Sequence, residues 1–212
     1  LINIVTSALI ILGGLGYIVW WDVLRVIKSR SPKNRKIFRH LTLHSKIAIT
    51  VTAGLIFIGA ILIFIFEYAN PLTIGEMSLF DKIQVSFFQS VTTRTAGFAT
   101  VPQENLTNAS ATVSIILMLV GGSPVGTAGG MKTVTIAVLI CSAFAAIRNK
   151  NSATLFGRRV SEESIKKAVA VVVMFLTICT AATILLMATS NASAIDAVYE
   201  TVSATATVGL SR

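Results

Sequence analysis

Gly121-Gly122-Ser123-Pro124-Val125-Gly126-Thr127-Ala128-Gly129-Gly130-Met131-Lys132-Thr133 stands between two apolar half-length runs, 111–120 before it and 134–147 after it. Neither run alone reaches the roughly 20 apolar residues that cross a hydrocarbon core about 30 Å thick. Together they read as one transmembrane helix broken in its middle by glycines, a proline and a lysine. Peptide groups freed at such a break are tolerated at membrane depth only where protein or water satisfies them. The break therefore marks a cavity or a pore.

Apolar segments continue on both sides of it. The run 47–66 is almost uninterrupted and rich in Ile and Phe, and 168–189 is a second full span. Residues 1–24 read as a further single span, with Gly13-Gly14-Leu15-Gly16 inside it and Trp20 and Trp21 at its end, where paired tryptophans suit the headgroup level. The chain opens at Leu1 inside that run without an initiating Met, which reads as a piece of a longer protein. No basic segment precedes the run, as a signal peptide would require. Across 212 residues, 54% are hydrophobic and 13% charged, with mean hydropathy +0.79. A soluble domain carries about 25% charged residues, so lipid is the expected solvent.

The formal charge of +9 is concentrated in two stretches, 25–46 and 148–167, each flanked by apolar spans. The positive-inside rule makes both cytoplasmic in a multi-pass cell-membrane protein. The stretches holding Glu67, Glu76 and Asp81, and Asp196 and Glu200, lean acidic and lie outside. Membrane lipid headgroups are the expected partners of the basic residues, and no nucleic acid is expected. The cysteines, Cys141 and Cys179, sit in apolar stretches and give no disulfide framework. His40 and His44 lack nearby carboxylates and read as solvated or headgroup-facing rather than metal-binding.

Two short units repeat at an offset of about 112 residues. An amphipathic segment, 79–91, too short to span and fitting either a surface helix or a re-entrant half-helix, leads into Thr93-Arg94-Thr95-Ala96-Gly97-Phe98. A second, 193–204, leads into Thr205-Ala206-Thr207-Val208-Gly209-Leu210. Thr93, Thr95 and Gly97 fall on Thr205, Thr207 and Gly209; Ile83 falls on Ile195 and Phe87 on Tyr199. The expected fold is an all-α membrane protein of repeated units, each a transmembrane helix, a re-entrant pore helix, a filter strand and a transmembrane helix. Residues 1–45 are the last helix of a preceding unit with its cytoplasmic connector. Residues 46–150 form one complete unit with a broken second helix, and 151–212 the first helix, pore helix and filter of another.

The repeated chemistry suits an alkali cation, which must exchange its hydration shell for oxygens such as a ring of backbone carbonyls. A strand whose carbonyls all face one way needs dihedrals that glycine permits. Threonine hydroxyls add oxygens, and a preceding half-helix aims its partly negative C-terminus at the ion. Arg94 would repel a cation in such a strand unless its guanidinium packs behind it, as alternation along an extended strand allows. Lys132 reads either as a gate element or as a side chain snorkelling to the cytoplasmic boundary. Residues 126–133 fail as a phosphate-binding loop, because Met131 occupies the place of the glycine before Lys132.

The combination of Thr93-Arg-Thr-Ala-Gly-Phe, the broken helix and Thr205-Ala-Thr-Val-Gly-Leu-Ser-Arg resembles the Trk/Ktr/HKT superfamily of potassium transporters, in particular the membrane subunits of bacterial Ktr systems. The resemblance implies four such units around one pore, of which this sequence runs from the last helix of the second to the filter of the fourth. It implies potassium ions (K+) at the backbone carbonyls of Thr93, Arg94, Thr95, Ala96, Gly97, Thr205, Ala206, Thr207, Val208 and Gly209, with Na+ as a further candidate. It implies an intramembrane gate of Gly121, Gly122, Ser123, Pro124, Gly126, Thr127, Gly129, Gly130, Lys132 and Thr133. It also implies a homodimer of pore subunits on a cytosolic ring of KtrA type that carries the nucleotide.

The rival reading is a secondary active cation transporter with discontinuous helices, whose repeats are usually inverted. Both units here enter from the basic side and place their polar segments on the acidic side, which makes them parallel and favours a pore. An enzyme is not expected: the sequence offers no Ser/His/Asp set and no paired intramembrane carboxylates.

Overall fold

The computed structural model describes residues 2–28, 37–126, 128–150 and 152–212. The apolar runs form helices, and small polar side chains start them. Helices α1 (Ile2–Gly14), α2 (Tyr17–Lys28) and α3 (Ile37–His40) precede α4 (Leu43–Glu67), the first long span. Helix α5 (Leu79–Thr92) is the first short helix; α6 (Asn108–Leu119) and α7 (Thr133–Ile147) flank the glycine-rich break; α8 (Glu162–Thr189) is the second long span and α9 (Ala194–Thr205) the second short helix. Thr42, Ser78, Thr107, Ser161 and Ser193 each accept the N–H three residues on, which satisfies a donor that the first turn leaves free.

Among the described residues, α4 and α8 are long and apolar enough to cross a membrane. Helix α8 turns Val169, Val173, Leu176, Ile184 and Leu185 outward, a continuous apolar face that fits lipid. The molecule is an all-α membrane protein built of repeated units. Helix α5 packs on α4 and α1, and α9 on α8 and α6; α4 also meets α6 and α7, and α7 meets α8. Ser86, Gln89, Ser90 and Thr92 of α5 are all buried, so it is a half-helix inside the fold, not a helix lying on its surface.

The expected single span over 1–24 is corrected: α1 and α2 meet at 89°. Gly16 adopts φ +76°, and its N–H closes a turn onto the Gly13 carbonyl at 3.3 Å. The bend leaves the Gly14 carbonyl to accept the Ser123 N–H at 2.9 Å, so the first helix breaks where it receives the loop of the second.

On the acidic side, Glu67 is 1% exposed and fully engaged. One carboxylate oxygen accepts from Thr73 Oγ1 (2.6 Å) and Asn70 Nδ2 (2.7 Å), and the other from Thr107 N (2.9 Å) and Thr107 Oγ1 (2.7 Å). These bonds fasten the end of α4 to the start of α6. In the second basic stretch a minimal hairpin, β1 (Thr154–Leu155) and β2 (Arg158–Arg159), turns through Phe156 and Gly157, both at positive φ as such a tight turn demands.

Candidate ion pathway

The two threonine-glycine segments leave the C-termini of α5 and α9, and neither is a strand; this corrects the expected extended conformation. Thr95 (φ 66°) and Gly97 (φ 76°) are left-handed in the first, and Thr207 (φ 57°) and Gly209 (φ 90°) at the matching positions of the second. Left-handed residues at every second position turn successive N–H groups to one side and leave the carbonyls to the other. The N–H groups of Arg94, Ala96 and Gly97 return to the carbonyls of Val91 and Thr92 at 3.1–3.3 Å. Those of Ala206, Thr207 and Val208 return to Val202, Ala204 and Ser203 at 2.8–3.0 Å. Among the described residues, no hydrogen bond reaches the carbonyls of 94–97 or 206–209. One hydroxyl near each helix end pins the residue after the glycine: Thr92 Oγ1 donates to Phe98 O (2.7 Å), and Ser203 Oγ to Leu210 O (2.5 Å).

The segments touch one another. A Cβ placed on Gly97 would overlap the Val208 carbonyl oxygen, so only glycine allows this approach. Beside the first segment lies an open cavity of about 770 Å³, lined among others by Thr6, Ile10, Thr95, Ala96, Thr100 and Ala128.

Arg94 is 6% exposed and borders the same cavity, with its guanidinium turned to α4 and the loop. Its guanidinium donates to Gly121 O (3.1 Å) and Thr52 Oγ1 (3.3 Å), although the backbone there is not the extended strand expected to place it. This tie joins the first segment to α4 and to the first residue of the break.

The loop between α6 and α7 is held at both ends. Met131 N donates to Leu119 O (3.1 Å), Thr133 N to Gly122 O (3.2 Å), and Ser123 and Thr133 share a hydroxyl contact at 3.3 Å with both residues fully buried. Pro124 and Gly126 lie against Gly16 at the bend between α1 and α2. Lys132 Nζ turns back onto Ala128 O at 2.5 Å and braces the loop from within. Gly129 lies against Ala206 and Thr207, where a Cβ would overlap the threonine hydroxyl. Gly122 lies against Gly14 of the first helix, and Gly121 and Gly130 pack on each other within the loop; Thr127 lies outside the described residues. The structure gathers the ten segment residues and the described loop residues at one place.

Sequence reasoning passed over Thr52, Gln89 and Gln103. Gln89 and Gln103 form an amide pair behind the first segment, and Tyr199 reaches it from α9, with no motif to mark any of them.

The chain is 36% identical over 209 residues to Ktr system potassium uptake protein B of Bacillus subtilis, covering 99% of this chain and 45% of that protein. It is 35% identical over 210 residues to the potassium/sodium uptake protein NtpJ of Enterococcus hirae, covering 97% of this chain and 44% of that one. The crystal structure of the potassium transporter TrkH from Vibrio parahaemolyticus matches the fold with TM-score 0.73 at 15% identity, over 100% of this chain and 45% of that one. The chain thus spans less than half the length of these relatives. A family model described as TrkH, cation transport protein, matches residues 1–212, and the chain belongs to that family.

Proposed function

We propose that this chain supplies two of four sides of a potassium-uptake pore in the cell membrane, with Na+ as a second candidate ion. The observation that carries the reading is the paired backbone: left-handed residues at matching positions of both segments, N–H groups turned back to their helices, and carbonyls that no hydrogen bond from the described residues reaches. Such oxygens suit a dehydrated alkali ion, and the Gly97–Val208 approach sets the two segments side by side. Residues 121–133 act as the gate below them, with Gly129 against Thr207 and α7 as a lever toward the cytosol. The basic stretches face the cytoplasm. Pore subunits pair as a homodimer on a KtrA-type ring, whose nucleotide state shifts the open and closed populations of the loop. The relatives named for potassium and potassium/sodium uptake support this reading.

Rubidium uptake by the full-length transporter in cells deficient in potassium uptake tests it. The wild type should restore uptake, and Gly97→Ser should lower affinity and blur discrimination from sodium. Removing 126–130 should raise flux and weaken its dependence on the regulatory subunit. Unchanged uptake and selectivity in both Gly97→Ser and Gly209→Ser would remove the filter assignment. Unchanged flux with intact regulation in a folded deletion variant would make the break a packing feature.

A further inference from the structure

Behind the two segments lies a buried polar group whose members come from separate parts of the chain. Gln89 on α5 is 1% exposed, Gln103 in the turn after the first segment 4%, and Tyr199 on α9 0%. Gln89 Nε2 donates to Gln103 Oε1 at 2.6 Å, and Gln103 Nε2 donates to Gln89 Oε1 at 3.3 Å and to Val101 O at 2.8 Å. Tyr199 Oη donates to Gln103 Oε1 at 3.0 Å. The Val101 carbonyl only accepts, so it fixes which end of the Gln103 amide carries the nitrogen and turns the oxygen toward Tyr199. Both Nε2 hydrogens and both Oε1 lone pairs are then used, and the side chain has one satisfied orientation.

Each partner leads directly to a segment. The Gln89 carbonyl accepts the Thr93 N–H at 3.3 Å, at the point where the first segment leaves α5. Tyr199 shares a buried cluster with Ala206, Val208 and Leu210 of the second. The Val208 carbonyl is the atom that Gly97 abuts, so a small change in spacing between α5 and α9 is felt where the segments meet. We infer that Gln103 is a positioning residue for ion selectivity: its amide clamps the two half-helices and sets the separation of the two carbonyl-bearing segments. The inference rests on the pore reading above.

The test measures rubidium-over-sodium uptake ratios of full-length variants, normalised to protein in the membrane. Tyr199→Phe keeps the packed ring and removes one donor; the ratio should fall about two- to tenfold, the size of one buried hydrogen bond. Gln103→Leu should fall further, and Tyr199→Phe in the Gln103→Leu background should add little, because both act through one group. Gln103→Leu alone can misfold, but Tyr199→Phe does not depend on it. A normal ratio in Tyr199→Phe, with Gly97→Ser altered in the same assay, overturns the clamp and leaves the pore reading standing. A normal ratio in Gly97→Ser and Gly209→Ser as well overturns both.

Discussion

The first and second threonine-glycine segments share a backbone and differ in what stands behind it. Both place a threonine and a glycine in the left-handed region two residues apart, and both tie the following carbonyl to a hydroxyl of the short helix. Behind the first sits a buried guanidinium bonded to Thr52 and Gly121; at the matching place in the second sits Ala206, fully buried in an apolar cluster with Tyr199, Val208 and Leu210. Gly97 is pressed against the Val208 carbonyl of the second segment. The difference teaches that the shared local sequence sets the carbonyl geometry, while each segment's support comes from its own tertiary neighbours. A guanidinium strut that also holds the loop stands at this place behind the first segment, and an apolar cluster at the matching place behind the second.

Substitutions separate what is shared from what is particular. The largest contrast lies between the glycines. Gly97→Ala meets both an unfavourable φ and the Val208 backbone oxygen, so affinity should fall strongly and discrimination from sodium should blur. Gly209→Ala meets the unfavourable φ, worth about 1–3 kcal/mol, and should retain measurable uptake with altered selectivity. Unchanged affinity and selectivity in both variants, in parallel uptake assays, would show that neither glycine shapes the ion path. Next comes Arg94→Met, which keeps much of the side-chain bulk but leaves the buried Gly121 carbonyl without its donor. A loss of about 1–3 kcal/mol is expected, read as a lower unfolding temperature in detergent, together with weaker regulation of flux because the loop is released at its first residue. The smallest effects test the shared tether. Thr92→Val and Ser203→Ala should each cost about 1 kcal/mol, and a clear inequality between them in unfolding measurements would mean that the two hydroxyls do different work.

The helices from α4 to α9 were legible because lipid demands long apolar runs and because Gly, Pro and small polar residues punctuate them. The repeat was legible too, since Thr-x-Thr-x-Gly recurs after short amphipathic runs. The bend at Gly16 was passed over although Gly13-Gly14-Leu15-Gly16 stood in the run, because apolar residues continue on both sides of it; the Ser123 N–H that takes up the Gly14 carbonyl lies more than 100 residues away. Reading the segments as extended strands followed the need for one-sided carbonyls and the preference of alternate side chains in a strand for opposite faces. Alternating handedness of φ overrides that preference and is invisible in residue type at Thr95 and Thr207. The buried role of Arg94 was legible as a need to keep a cation away from the ion, but its partners were not, because Thr52 and Gly121 come from other helices. Gln103 gave no signal at all, being one polar residue in a polar stretch until the fold buries it beside Gln89 and Tyr199.

Ion occupancy tests the central claim most directly. Anomalous scattering from crystals of the full-length transporter grown in rubidium should give a peak beside the backbone carbonyls of 94–97 and 206–209, and the peak should weaken in Gly97→Ser. Strong rubidium peaks elsewhere in the membrane region, with none beside these two segments, would contradict the account.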